Sequence, residues 1–332
     1  MKKIILIIHF HYIIKLLILD ALNFILMKLF LKFQNIKNSF IINIIENKFI
    51  MKKAKVFNFS SYVVLFLLAF ILNSCKKDLK KDTDTKTAED LVWAVTAYTD
   101  VFNQLDLILK DSSIVYANSI DNVFRYGCIS LSMSEFNSFP KIITLDFGGN
   151  NCLGKDSRTR RGKIIVQFSG PLYKENTFVK VSFINYYISD TKIDGKFTIE
   201  AQKGIELDNN YSQIVYLIKV QDGHIEGNKG ESFFSANFTR EWNEGMETQW
   251  PNLNDDLFSI TGSGKGISAN KEDYEFTITI PLSFQHNCNW ISKGNIDAKV
   301  YAKENRKIDY GSGCDNEAKL TIGNESSDLT LK

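Results

Sequence analysis

The chain has 332 residues, 40 Lys+Arg against 38 Asp+Glu, and a formal net charge of +2. Residues 1–75 carry ten lysines and only two acids, Asp20 and Glu46, which leaves 30 basic and 36 acidic residues in 76–332, a balance near −6. A mildly acidic domain lacks the basic footprint that nucleic-acid binding needs, and only 4 prolines against 25 phenylalanines and 13 tyrosines leave strand-forming material without a Pro-rich linker.

Residues 1–50 are dominated by Ile, Leu, Phe, Lys and Asn. A second lysine-rich start, Met51-Lys52-Lys53, heads what reads as a complete signal peptide. We therefore expect Met51 to be the true start and 1–50 an over-extended reading frame. The rival is an additional apolar helix over Ile4–Leu19, broken by His9, His11 and Lys15.

In 51–74, Lys52, Lys53 and Lys55 form a positive n-region and Tyr62–Leu72 an apolar h-region too short to be a comfortable membrane span. Leu72-Asn73-Ser74-Cys75 follows. An aliphatic residue at −3, a small one at −1 and Cys at +1 resemble a lipobox, the signal at which a thiol is diacylated, the leader is cut and the new amine is acylated. Several acyl chains on Cys75 would give a stable attachment to a lipid bilayer, where one would be marginal; an uncleaved membrane anchor is the alternative. The segment 75–87, Cys75 followed by Lys76-Lys77-Asp78-Leu79-Lys80-Lys81-Asp82, is charged and lacks aromatics, so it reads as a tether. Lys76 stands at +2 in place of the Asp associated with inner-membrane retention in some bacteria, and the charges just behind the Cys partly resemble the surface-export signals of Bacteroidetes lipoproteins. The expected location is the bacterial outer membrane, on its periplasmic or outer face.

From 88 to 332 we expect a single domain. Leu91, Val95, Tyr98, Phe102, Leu105 and Leu109 recur every three or four residues and predict a helix over 88–110, with Thr96, Asp100 and Asn103 on its opposite face. Beyond about Asn122 the period becomes two: Ile143, Leu145 and Phe147; Ile164, Val166 and Phe168; Phe178–Ile188; Phe197 and Ile199; Ile214–Val220; Phe233–Trp242; Phe276, Ile278, Ile280 and Leu282; then Ala298–Ala302, Ala318–Ile322 and Leu329–Leu331. Asp194-Gly195 and Asp222-Gly223 read as hairpin turns, as do Lys174-Glu175-Asn176 and Gly323-Asn324. Short links pair neighbouring strands in sequence order. The expected fold is mainly β: an antiparallel curved meander or partly closed barrel with the helix on its concave side. A two-sheet sandwich is the alternative.

Beside Cys75 there remain Cys128, Cys152, Cys288 and Cys314, an even number in an exported chain. Of three possible connectivities we expect the local one, Cys128–Cys152 and Cys288–Cys314, each worth roughly 3 kcal/mol in the chain-entropy model. Spacing argues against zinc: C-x-x-C is lacking, and His286 beside Cys288 is isolated. No metal or other cofactor is expected.

Three blocks carry a family resemblance. They are Ile143–Gly148 with Cys152 and Arg158–Ile164; Trp242–Gly245 with Asp255-Asp256 and Ile260–Gly262; and Cys288-Asn289-Trp290 with Asp309–Ala318. Taken in order, they resemble an uncharacterised family of exported Bacteroidetes lipoproteins, over most of 126–332. Lys155-Asp156-Ser157 departs from the Asp-Gly that family usually has. The resemblance implies an exported β protein and no particular activity.

Gly262-Ser263-Gly264-Lys265-Gly266 lacks the spacing of a phosphate loop and reads as a turn between strands. Arg158, Arg160, Arg161 and Lys163 form the one basic cluster, a grip for an acidic ligand or, more simply, a solvated loop pairing with acids such as Asp146. Glu241, Glu244, Glu247, Asp255 and Asp256 accompany Trp242 and Trp250. Carboxylates near flat rings suit glycan binding, calcium or, as an acid–base pair, glycoside hydrolysis; they also suit an acidic loop whose tryptophans complete a core. No catalytic residue is assigned. The candidate ligand contacts are Trp242, Glu244, Trp250, Asp255, Asp256, Arg158 and Arg160. The expected role is a non-enzymatic structural or ligand-binding one with a glycan or envelope protein as partner; a hydrolase using the 241–256 acids, or a lipid carrier, is the alternative.

Overall fold

The computed structural model describes residues 82–117, 124–134, 138–206, 212–248 and 252–331. The expected leader, lipobox and tether to residue 81, and Trp250, lie outside them. Helix α1 spans Lys86–Leu109 and a one-turn helix α2 spans Ser112–Val115, where the Asp111 carboxylate accepts from the Ser113 N–H at 2.8 Å.

Among the described residues fifteen strands follow: β1 Phe124–Tyr126, β2 Ile129–Ser134, β3 Lys141–Asp146, β4 Cys152–Leu153, β5 Thr159–Phe168, β6 Phe178–Ile188, β7 Thr191–Glu206, β8 Ser212–Gly227, β9 Gly230–Glu244, β10 Leu257–Ile267, β11 Asp273–Gln285, β12 Lys293–Val300, β13 Arg306–Ser312, β14 Glu317–Ile322 and β15 Glu325–Thr330. Each pairs antiparallel with the next, save that β3 pairs β5 and β4 adds only a short bridge to β5. This is the curved meander the alternation predicts, an unclosed sheet with β1 and β15 at its ends.

The helix packs against several strands of the sheet at once. No residue of α1 is exposed. Tyr98 stacks between Phe197 of β7 and Phe234 of β9, with ring centroids 6.1 and 5.6 Å away, and Phe102 meets Tyr216 of β8 and Phe258 of β10 edge-on. The face opposite the apolar stripe is covered too: Asp100 is buried and bonds Arg160 of β5, and Asn103 accepts from Arg240 of β9 at 3.0 Å. An apolar stripe read from periodicity gives the helix one partner layer; a sheet that wraps it supplies several.

Two glycine readings are also corrected. Asp194-Gly195 and Asp222-Gly223 do not turn the chain; they lie opposite each other inside β7 and β8, where the register shifts. The Tyr98 hydroxyl donates to the Asp194 carbonyl at 2.7 Å. A Cβ on Gly223 would collide with that hydroxyl, so the bulge makes room for the helix. Likewise 262–266 is not a turn but the interior of β10. A side chain at Gly264 would strike Phe276, and one at Gly266 would strike Tyr274. The missing side chains leave space for these rings. Ile280, expected inside, faces out, because the β11–β12 register slips between Ile278 and Ile280.

Cys128 and Cys152 lie at disulfide distance, with Cα atoms 6.1 Å apart; Cys288 and Cys314 do too, at 5.7 Å. This is the local pairing the sequence suggests.

Candidate functional site: a buried ion-pair cluster

The aspartate expected in an exposed acidic loop is turned inward. Asp256, immediately before β10, is fully buried, and its Oδ2 lies 2.9 Å from the Nζ of Lys110, just past the end of α1. The same ammonium lies 3.0 Å from Oδ2 of Asp106, one helical turn earlier. Asp106 Oδ2 is in turn 2.8 Å from Nε2 of His286, in the loop after β11. Lys110 also sits 3.5 Å above the Trp242 ring, which stacks on Phe258. Arg240 lies fully buried beside them, its guanidinium 4.0 to 4.2 Å from the Phe258 and Phe102 ring centres. One lysine thus meets two carboxylates, with Arg240 beside them on the aromatic rings.

Asp106, Asp256 and His286 present ligand atoms within 4.8 Å of one another, a spacing that a metal ion could use. A cation already stands there, because Lys110 bonds Oδ2 of both aspartates, while their buried Oδ1 atoms have no hydrogen-bond partner among the described residues. The lysine is the cation of this site. Burial alone would raise the Asp106 carboxyl, but Lys110, and then the His286 hydrogen bond, hold it well below the usual carboxylate range. For Asp256 burial prevails over the pull of the same lysine, and its pKa is raised. Burial lowers Arg240 to about 10, which leaves it charged at neutral pH.

A second cluster locks the other flank of the helix. Arg158 and Arg160 are not on a solvated loop; both are buried. Arg160 Nε donates to Asp100 Oδ2 at 3.0 Å and its Nη1 to Asp156 Oδ1 at 3.0 Å. Arg158 donates to the Asn289 carbonyl at 3.1 Å and lies 4.7 Å from the Trp290 ring centre. The acid expected for these arginines, Asp146, instead pairs with Lys163 at 2.8 Å. Arg161 alone behaves as a surface residue, pairing with Asp190.

The candidate ligand contacts are therefore not brought together. Trp242, Asp256, Arg158 and Arg160 belong to the interior, whereas Glu244 and Asp255 are exposed, Asp255 accepting from the Thr248 hydroxyl at 3.0 Å. Lys110, Asp106 and Arg240 escaped the sequence reading, which placed Asp100 only on a helix face and weighed His286 only as a zinc ligand. The one available signal was the charge on an otherwise apolar helix, Asp100, Asp106 and Lys110, in a segment dense with buried-type residues.

The cluster gives the domain a definite acid sensitivity. The depressed carboxyl of Asp106 contributes stability in full above its unfolded value near 4, and that stability is lost as pH falls through its lower folded value. Asp156 is lowered as well: burial opposes, but the arginines prevail, so its sign is the same. The raised Asp256 has the opposite sign and softens the loss. The urea midpoint is expected to fall steadily below about pH 4, less steeply in Asp106→Asn; equal slopes in parent and variant would contradict the assignment.

No family model matches the chain, and no curated protein or solved structure matches it either.

Proposed function

We propose that the chain is a lipid-anchored protein of the bacterial outer membrane, attached through acylated Cys75, whose domain serves as a non-enzymatic structural or ligand-binding module for a glycan or envelope partner. The observation that most supports the non-enzymatic reading is the fate of the candidate acids and bases. Asp256 is spent on Lys110 inside the core, and the two arginines are spent on Asp100, Asp156 and backbone. Glycoside hydrolysis needs two carboxyl groups flanking an accessible bond, and Asp256 is turned away from any such place. The hydrolase alternative retains Glu241, Glu244, Glu247 and Asp255; it requires that Glu244→Gln with Asp255→Asn abolish turnover while the fold survives. The lipid-carrier alternative loses support because α1 fills the concave side of the sheet.

The anchor is supported by the lipobox residues and by the paired cysteines, which suit an oxidising compartment. In the native host, Cys75→Ala is expected to abolish palmitate labelling and to release the chain from the membrane fraction. Unchanged membrane attachment in that variant would overturn the reading.

A further inference from the structure

Four strands, β9 to β12, carry a groove of about 610 Å³ near the N-terminal end of α1. Two cross-strand rows form its floor. One runs from Phe233 through Ile267 to Asp273, with Tyr301 beyond; the other runs from Ser235 through Lys265 and Glu275 to Lys299. Tyr301, in the turn after β12, is 85% exposed, and Phe233 and Ile267 are 40% and 36% exposed. Two large rings and an isoleucine at this exposure, set among Lys265 and Lys299 and the acids Asp273 and Glu275, make an apolar patch on an otherwise polar face.

The start of the described chain is fixed beside this groove. Asp82 Oδ2 accepts from Arg306 Nη1 at 2.5 Å and from the Glu304 N–H at 3.3 Å. Asp84 accepts from Lys303 and from Asn270, each at 3.1 Å. Lys303 follows Tyr301 by two residues, and Asn270 follows Ile267 by three. Seven residue steps separate Cys75 from Asp82, so the chain can span at most about 25 Å between them.

We propose that this groove is the face on which the domain rests against the bilayer, with Tyr301, Ile267 and Phe233 entering the headgroup boundary and Lys265 and Lys299 meeting lipid phosphates. The inference rests on the Cys75 anchor proposed above. Tyrosine is suited to the membrane interface, with its ring in the apolar boundary and its hydroxyl in water. Lysines keep their heads at the phosphates while their stems lie along apolar surface. Asp273 and Glu275 offset the charge of these two lysines, so the apolar side chains carry the contact, and the short tether supplies a high effective concentration at which a weak patch suffices. A soluble glycan would fit the same rings, but nothing about such a ligand explains why the chain is pinned at this edge.

The test uses the full acylated protein in vesicles of phosphatidylethanolamine and phosphatidylglycerol, with and without lipids brominated at shallow acyl positions. Tyr301→Trp is a surface change and leaves the core untouched. Its emission, taken as the difference from the parent protein, is expected to drop roughly twofold with brominated lipid, as for a ring at the headgroup boundary. Tyr116→Trp, also exposed but beyond the far end of α1, about 36 Å along the helix, is expected to be unaffected. Unquenched emission from the Tyr301→Trp protein when it floats with the vesicles would overturn the proposal. So would an indole at that position that responds to soluble glycan and not to vesicles, which would make the groove a glycan site. Failure of the parent chain to float would show that the anchor itself had failed, and the docking face would fall with it.

Discussion

Lys110→Met is expected to destabilise the domain by about 3–5 kcal/mol, measured by urea unfolding of the oxidised protein at neutral pH. The side chain is nearly isosteric, so little packing is lost. What remains is Asp106 and Asp256, both fully buried, each with the oxygen that faced the ammonium now facing a thioether. Removing one partner of a buried pair leaves the other charge with its full desolvation cost. Arg240 cannot make up the difference, because its hydrogen bond goes to Asn103 and its face lies on Phe102 and Phe258. Arg240→Met is accordingly expected to cost less than Lys110→Met, since a sulfur and methylenes suit those rings and no direct ion pair is cut. A Lys110→Met protein as stable as the parent, or an Arg240→Met protein less stable than the Lys110→Met one, would contradict this account of the cluster.

Arg160→Met is expected to have a comparable effect, about 3–5 kcal/mol. Arg160 joins three pieces of chain: Asp100 on α1, Asp156 in the β4–β5 turn, and its own strand β5. Its loss leaves Asp100 charged within the core, facing the buried Tyr186. Because Asp100 and Asp106 lie about 9 Å apart along the helix, the two losses are expected to add to within a few tenths of a kcal/mol. The informative control is the double change Arg160→Met with Asp100→Leu. It removes both charges and is expected to recover much of the stability. No recovery would mean that Arg160 acts through packing and not through its charge.

The strands were legible because period two is a local signal. Phe178–Ile188 is β6 residue for residue, and the inward positions of β3 and β5 are the alternating Ile, Val, Leu and Phe of the sequence. β13 was missed for a specific reason. Its first inward residue is Arg306, fully buried against Asp82 and Asp84, so the apolar alternation begins with a charge. The Asp-Gly pairs misled because a hairpin turn and a bulge both need positive φ, and sequence alone does not tell which use applies. The candidate site was hardest to read. Its partners are remote in sequence, Lys110 from Asp256 by 146 residues and Asp100 from Arg160 by 60. Each half alone looks like an ordinary solvated charge.

The measurement that bears most directly on the central claim is the intact mass of the protein purified from its native membrane. The account predicts a chain that begins at Cys75, heavier than its amino acids by a diacylglyceryl and an amide-linked acyl group, and lighter by the four hydrogens of two disulfides. An unmodified mass beginning at Met1 or Met51 would contradict it.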